Sequence, residues 1–167
     1  MKKRNFKKNR KGAISVLTAI LLIGLTAMIA FAIDVGYICV VRQQLQRSAD
    51  SAAMAACWKM LDDDSTTGYD APSIVESMAR QEASLFASKN EVIQQAPTLS
   101  VSDVDIGYLA DPSDPDSAFV VGGINPANAV KVRVRRADGV NGTVPLFFAR
   151  VLGMGEISVQ AEATAAL

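Results

Sequence analysis

The chain has 167 residues, 17 Lys+Arg against 17 Asp+Glu, no His and two Cys. That length holds one modest domain, or a smaller domain with an anchor, and without His there are no Ser–His or Cys–His pairs and no His-ligated metals. The zero net charge conceals an asymmetry: residues 1–12 carry seven Lys/Arg and no acid, while the rest carries ten against seventeen. A basic tip on an acidic body points to a protein with a membrane between its two ends.

Residues 13–33, AISVLTAILLIGLTAMIAFAI, contain no charge. As a helix they span about 31 Å, close to a hydrocarbon core of about 30 Å. Ser15, Thr18 and Thr26 are the polar members, and such hydroxyls bond back to their own helix. Thr26 and Ala30 form a small-xxx-small pair, read either as helix filler or as a place for another helix to approach. The basic residues precede the span and Asp34 follows it, which puts the N-terminus in the cytoplasm and the body outside. A cleaved signal peptide is the rival reading, since Ala30-Phe31-Ala32 imitates a cleavage site. The apolar run is longer than such a leader needs and continues past Asp34, so retention is expected. A prepilin-type leader after Gly12 is a third reading, against which Leu17 stands where prepilins carry Glu.

From Asp34 to Leu61 the helix is expected to continue, with one Gly and no Pro. Ile38, Val41, Leu45, Ser48, Ala52 and Ala55 recur at three- and four-residue spacing, and Ala49, Ala53 and Ala56 widen that seam. Such a rod needs a cover, either the chain's own C-terminal half or another subunit. Span and extension together make about 73 Å of rod, on which Cys39 and Cys57 stand about 27 Å apart, too far to form a disulfide.

Several of these residues carry a resemblance. Lys11-Gly12-Ala13, the apolar span, Asp34-Val35-Gly36-Tyr37, Arg42, Leu45-Gln46, Ala49-Asp50 and Ala52-Ala53 resemble the N-terminal Tad domain of TadE/TadG-like proteins of the tight-adherence (Flp) pilus system. The runs 127–132, 144–150 and 157–161 are similar to the tail of short members. The resemblance implies a non-enzymatic pilus-assembly component in the bacterial inner membrane, facing the periplasm. Its partners would be lipid and other pilus-assembly proteins or pseudopilins, with a homo-oligomer as an alternative. Larger TadG-like proteins can carry an insertion with a DxSxS metal site; this chain has neither the motif nor room for it.

Residues 62–97 read as an acidic loop, DDDSTTGY, then a second helix over 72–89, with Asp70 as its N-cap and Pro72 in its first turn. The Asp62–Asp64 run lacks the spacing and closing Glu of a calcium loop. Ile74, Val75, Met78, Ala79, Leu85 and Phe86 are the expected core-facing side.

Residues 98–167 read as a sheet domain. Val101, Val104, Ile106 and Tyr108 are strand material interrupted near Asp103, and Ala118 to Val121 returns after a Pro- and Asp-rich turn. Gly122-Gly123 and Asn125-Pro126 close that return. Val130, Val132 and Val134 alternate with Lys131, Arg133 and Arg135. This basic face lacks interleaved aromatics and reads as solvated, with no nucleic-acid partner. The Asn141-Gly142-Thr143 sequon reads as a chance match at a turn. Val144 to Leu152 reads as a short helix and residues 157–165 as a last strand. The whole is α+β: a long N-terminal helix, a second helix, one short helix and about four mostly antiparallel strands, pilin-like in outline.

No nucleophile–base pair, metal cluster or phosphate loop is present in the pattern, so no enzyme activity, cofactor or small-molecule substrate is expected. The candidate partner contacts are Asp34 at the membrane exit, Leu45, Gln46, Ala49, Asp50 and Ala52 on the rod, and Phe147 and Phe148. The phenylalanine pair reads either as a docking patch or as a lid on the core. Two alternative functions remain: a membrane-tethered periplasmic binding or sensor module, and a released minor pilin-like subunit.

Overall fold

The structure is a computed structural model describing residues 11–67, 72–114, 116–122 and 127–167, with the side chains of 11–13 and 62–72 excluded. The basic tip up to Arg10, the Asp70 cap and the turn residues Gly123 and Asn125-Pro126 lie outside the described residues.

Helix α1 runs from Lys11 to Thr67 without interruption, about 85 Å at 1.5 Å per residue. No Pro breaks it, and the Thr18 and Thr26 hydroxyls donate to the carbonyls of Ile14, Leu22 and Ile23 at 2.8–3.1 Å. Its first half is uncovered: an apolar window of mean hydropathy 2.6 holds no buried residue, and the helix is long and apolar enough to cross a membrane. The acidic run expected as a loop at 62–69 is helical through Thr67.

The second half of α1 is the spine of the folded body. Val41, Leu45, Ser48, Ala49, Ala52, Ala53 and Ala56 are all buried. The expected seam is therefore real, and the chain's own C-terminal half covers it. Helix α2, Pro72–Lys89, packs along α1 on one side. Its contact stripe is Val75, Ala79, Ala83 and Ala87, the three alanines fully buried. The larger Ile74, Met78 and Leu85, expected inward, stay exposed. Alanine lets two helix backbones come close, and side chains too large for that gap are turned aside. The Ser48 hydroxyl donates to the Ala87 carbonyl at 3.2 Å, which satisfies the buried serine in the contact.

On the other side of α1 lies a four-stranded antiparallel sheet in the order β2-β1-β3-β6, with β1 Val104–Leu109, β2 Phe119–Val121, β3 Ala129–Arg136 and β6 Val159–Ala166. Val130, Val132 and Val134 face the helices and are fully buried. Opposite them, Arg133 pairs with Glu162 at 2.6 Å, Arg135 with the buried Asp103 at 2.9 Å, and the Lys131 ammonium sits 4.8 Å over the Phe119 ring. The basic face is neutralised within the fold.

The stretch 144–152 departs from the short helix that was expected. Val144–Pro145 forms β4, which pairs with β5, Glu156–Ile157. Pro145 has no N–H for a helix ladder, and the backbone takes the extended form. Between these strands one 3-10 turn, Ala149–Leu152, ends at Gly153, whose φ of 86° suits a residue with no Cβ. The result is an arm with an apolar tip.

Candidate functional site

The arm meets α1 where the apolar span ends. Asp34, one residue past that span, is only 3 % exposed. Its carboxylate accepts the backbone N–H groups of Phe147 at 2.9 Å, Phe148 at 3.0 Å and Ala149 at 2.6 Å. Burial works to raise the pKa of Asp34, but the three donors outweigh it and hold the carboxyl below the ordinary carboxylate range. One turn further on, the Tyr37 ring meets the edge of Phe147 with centroids 5.3 Å apart. Asp34 heads the stripe that continues through Ile38, Val41 and Leu45, so the helix face that enters the core also receives the arm.

The predicted contact residues divide into two groups. Leu45, Ala49 and Ala52 are fully buried against the chain's own second half and present no surface to a partner. Asp34 is occupied by the arm. Gln46 and Asp50 are exposed: the Gln46 amide donates to the Asp50 carboxylate at 2.8 Å and to the Glu162 carbonyl at 3.1 Å, tying α1 to β6. Phe147 and Phe148 are not a lid on the core, for they are 59 % and 44 % exposed.

Two further apolar surfaces escaped the sequence reading. Beyond the phenylalanines, the arm tip exposes Val151, Leu152 and Met154, at 87 %, 76 % and 57 %. Between them and Ile23, Thr26, Ala27 and Ala30 of α1 runs a groove of about 420 Å³. The second surface lies between the helices, where Met54 and Trp58 of α1 and Phe86 of α2 line an open hollow, with Trp58 70 % exposed. An isolated Trp on a helix read as a one-sided stripe gave no signal. The apolar run 146–154 was visible, but its placement depends on Asp34, 113 to 115 residues earlier.

Polar positions elsewhere are structural. Arg136, nearly buried, donates to the carbonyls of Val92 and Gly142 and to the Gln95 side chain at 3.0–3.3 Å. The Asn141 side chain accepts from the Thr98 N–H and donates to the carbonyls of Thr98 and Arg135, so the sequon asparagine holds a loop in place. Cys39 is exposed and Cys57 buried, both as free thiols, and burial pushes the Cys57 thiol up. Among the described residues no cluster of three potential ligands stands ready for a metal.

The sequence profile of a family described as Tad-like Flp pilus-assembly matches residues 46–165, and one described as Flp pilus-assembly TadE/G-like matches 12–61. No curated protein and no solved structure matches at a significant level. The two profiles meet on the body half of α1, so they cover the anchor-like helix and the body it supports. The chain belongs to the Tad family of Flp pilus-assembly proteins.

Proposed function

We propose that the protein is a non-enzymatic, single-pass component of a bacterial Tad (Flp) pilus assembly system, acting by protein contacts on the periplasmic side of the inner membrane. Residues 13–33 span the membrane, the seven basic residues of the tip stay in the cytoplasm, and the body stands outside. The observation that carries this reading is the uninterrupted α1, uncovered and apolar in its first half and the spine of a folded body in its second.

Partners dock on what the fold leaves open. The first contact surface is Trp58 with Met54 and Phe86, since tryptophan is enriched among the residues that dominate interface energies. Gln46 and Asp50 add a polar contact on the same rod. Leu45, Ala49 and Ala52 act indirectly, by holding the body together. Asp34 acts by fixing the arm, and Phe147 and Phe148 by presenting its root.

The test is made in the native host. Trp58→Glu is expected to lower pilus assembly while protein level, membrane fractionation and the body's fold stay unchanged. Normal piliation after deletion of the whole gene would overturn the assembly role. Recovery of the full-length chain in the soluble fraction would overturn the anchor.

A further inference from the structure

We propose that the arm tip, Phe148 to Met154, is a second membrane contact, seated in the outer leaflet beside the span with lipid acyl chains as its partner. The inference rests on the reading of residues 13–33 as a membrane span and is independent of the pilus role.

Depth is the first argument. The arm tip and α1 share a groove that reaches from Asp34 back to Ile23. Eleven residues of helix cover about 16 Å along the axis. If the span fills a hydrocarbon core of about 30 Å, Ile23 lies near mid-bilayer and Ala30 roughly 6 Å inside the boundary. Whatever stands beside these residues stands in the outer leaflet.

Chemistry is the second. The tip leaves the side chains of Phe148, Val151, Leu152 and Met154 exposed along this groove. Such a cluster in water costs free energy, and in acyl chains it does not. Arg150, exposed among them, has a stem long enough to carry its guanidinium out to lipid phosphates.

Backbone satisfaction is the third and most specific. Irregular chain enters lipid only if its polar groups find partners within the protein. Asp34 accepts the N–H groups of Phe147, Phe148 and Ala149. Carbonyls of the tip itself accept those of Val151, Gly153 and Met154, at 3.0–3.1 Å, and the Gly155 carbonyl accepts that of Leu146 at 2.9 Å. These N–H groups are therefore satisfied inside the protein, as entry into lipid requires. The groove agrees: apart from Thr26 and Asp34 its walls are apolar side chains of both elements. An acyl chain fits it by chemistry and by continuity with the lipid-facing span.

The experiment uses the full chain in liposomes, with no other protein present. Trp58, the sole tryptophan, is replaced in a Trp58→Phe background. Single tryptophans are then placed at the tip, Val151→Trp, and in the span, Leu21→Trp. Lipids brominated on their acyl chains are expected to quench both, with blue-shifted emission from each. Quenching of Leu21→Trp alone, with water-like emission from Val151→Trp, would overturn the inference and leave the span standing. Quenching of neither would overturn both. Met154→Trp, at the far end of the tip, repeats the measurement should Val151→Trp disturb the arm.

Discussion

The carboxylate of Asp34 accepts the backbone N–H of Ala149 at 2.6 Å across 115 residues of sequence, joining the end of the apolar span to the last third of the chain. With the neighbouring N–H groups of Phe147 and Phe148 on the same carboxylate, the arm is held by charge at its root and by Tyr37 alongside.

Asp34→Ala leaves three N–H donors without their acceptor and frees the arm. Hydrogen exchange at Phe147, Phe148 and Ala149 is expected to speed up, with protection in β3 unchanged. Asp34→Asn keeps the shape and one acceptor oxygen and gives an intermediate effect. Unchanged exchange in Asp34→Ala would show that the carboxylate does not hold the arm.

The same contact depends on pH in one direction. The folded pKa of Asp34 lies below its unfolded value of about 3.9. The stabilisation is therefore complete above pH 4 or so and is lost as pH falls through the folded pKa. Tyr37 and Phe147 reporters should show the arm docked at neutral pH and loosening only on strong acidification, a response absent from Asp34→Ala.

Ala83 lies fully buried between the helices. Ala83→Leu forces α1 and α2 apart and is expected to lower body stability by about 1–3 kcal/mol. Ile74→Ser, on the exposed flank of the same helix, should change it by less than about 0.5 kcal/mol. Urea midpoints of the two variants in detergent check the pair, and equal effects would contradict the alanine stripe.

Arg136 satisfies the carbonyls of Val92 and Gly142 from a nearly buried position. Arg136→Met preserves the stem but strands those acceptors, a loss of about 1–3 kcal/mol. Arg136→Lys should recover only part of it, because one ammonium cannot reproduce the guanidinium fork. Thermal midpoints of the two variants rank the effects.

Gly107 stands where β1 and β2 come closest. A Cβ there would run into the Val120 carbonyl oxygen and press on the Phe119 ring. Gly107→Ala is expected to detach the short edge strand β2, seen as new amide exchange at Val120 and Val121, while β3 and β6 remain paired.

Much of this architecture was legible because periodicity carries it. The stripe through Val41, Leu45 and Ala52 fixed the buried face of the rod, and the alternation of Val130, Val132 and Val134 fixed that of β3. The second helix was legible to its bounds from Pro72 and the apolar spacing, and of its expected inner face Val75 and Ala79 do point inward while Ile74, Met78 and Leu85 do not. Bulk was taken for burial, whereas two helices in close approach exclude Ile74 and Leu85 and admit alanine. The 144–152 stretch was misread because its apolar residues suit a helix as well as an arm, and its form is settled by pairing with Glu156 and Ile157. Asp34 was visible as an interesting residue, but not as the arm's anchor. Its partners are backbone amides, which leave no mark in sequence.

The uninterrupted course of α1 has a mechanical consequence. There is no hinge between Ile33 and Val41, and the Asp34 clasp braces that junction from outside. Rotation or tilt of the apolar half must then turn the whole body through the same angle. With residues 13–33 in a bilayer, as proposed, a neighbour that twists that segment would swing the Trp58 face, about 36 Å beyond Asp34 along the axis. In mechanical terms the molecule is a crank, one continuous shaft with the body fixed along its far half.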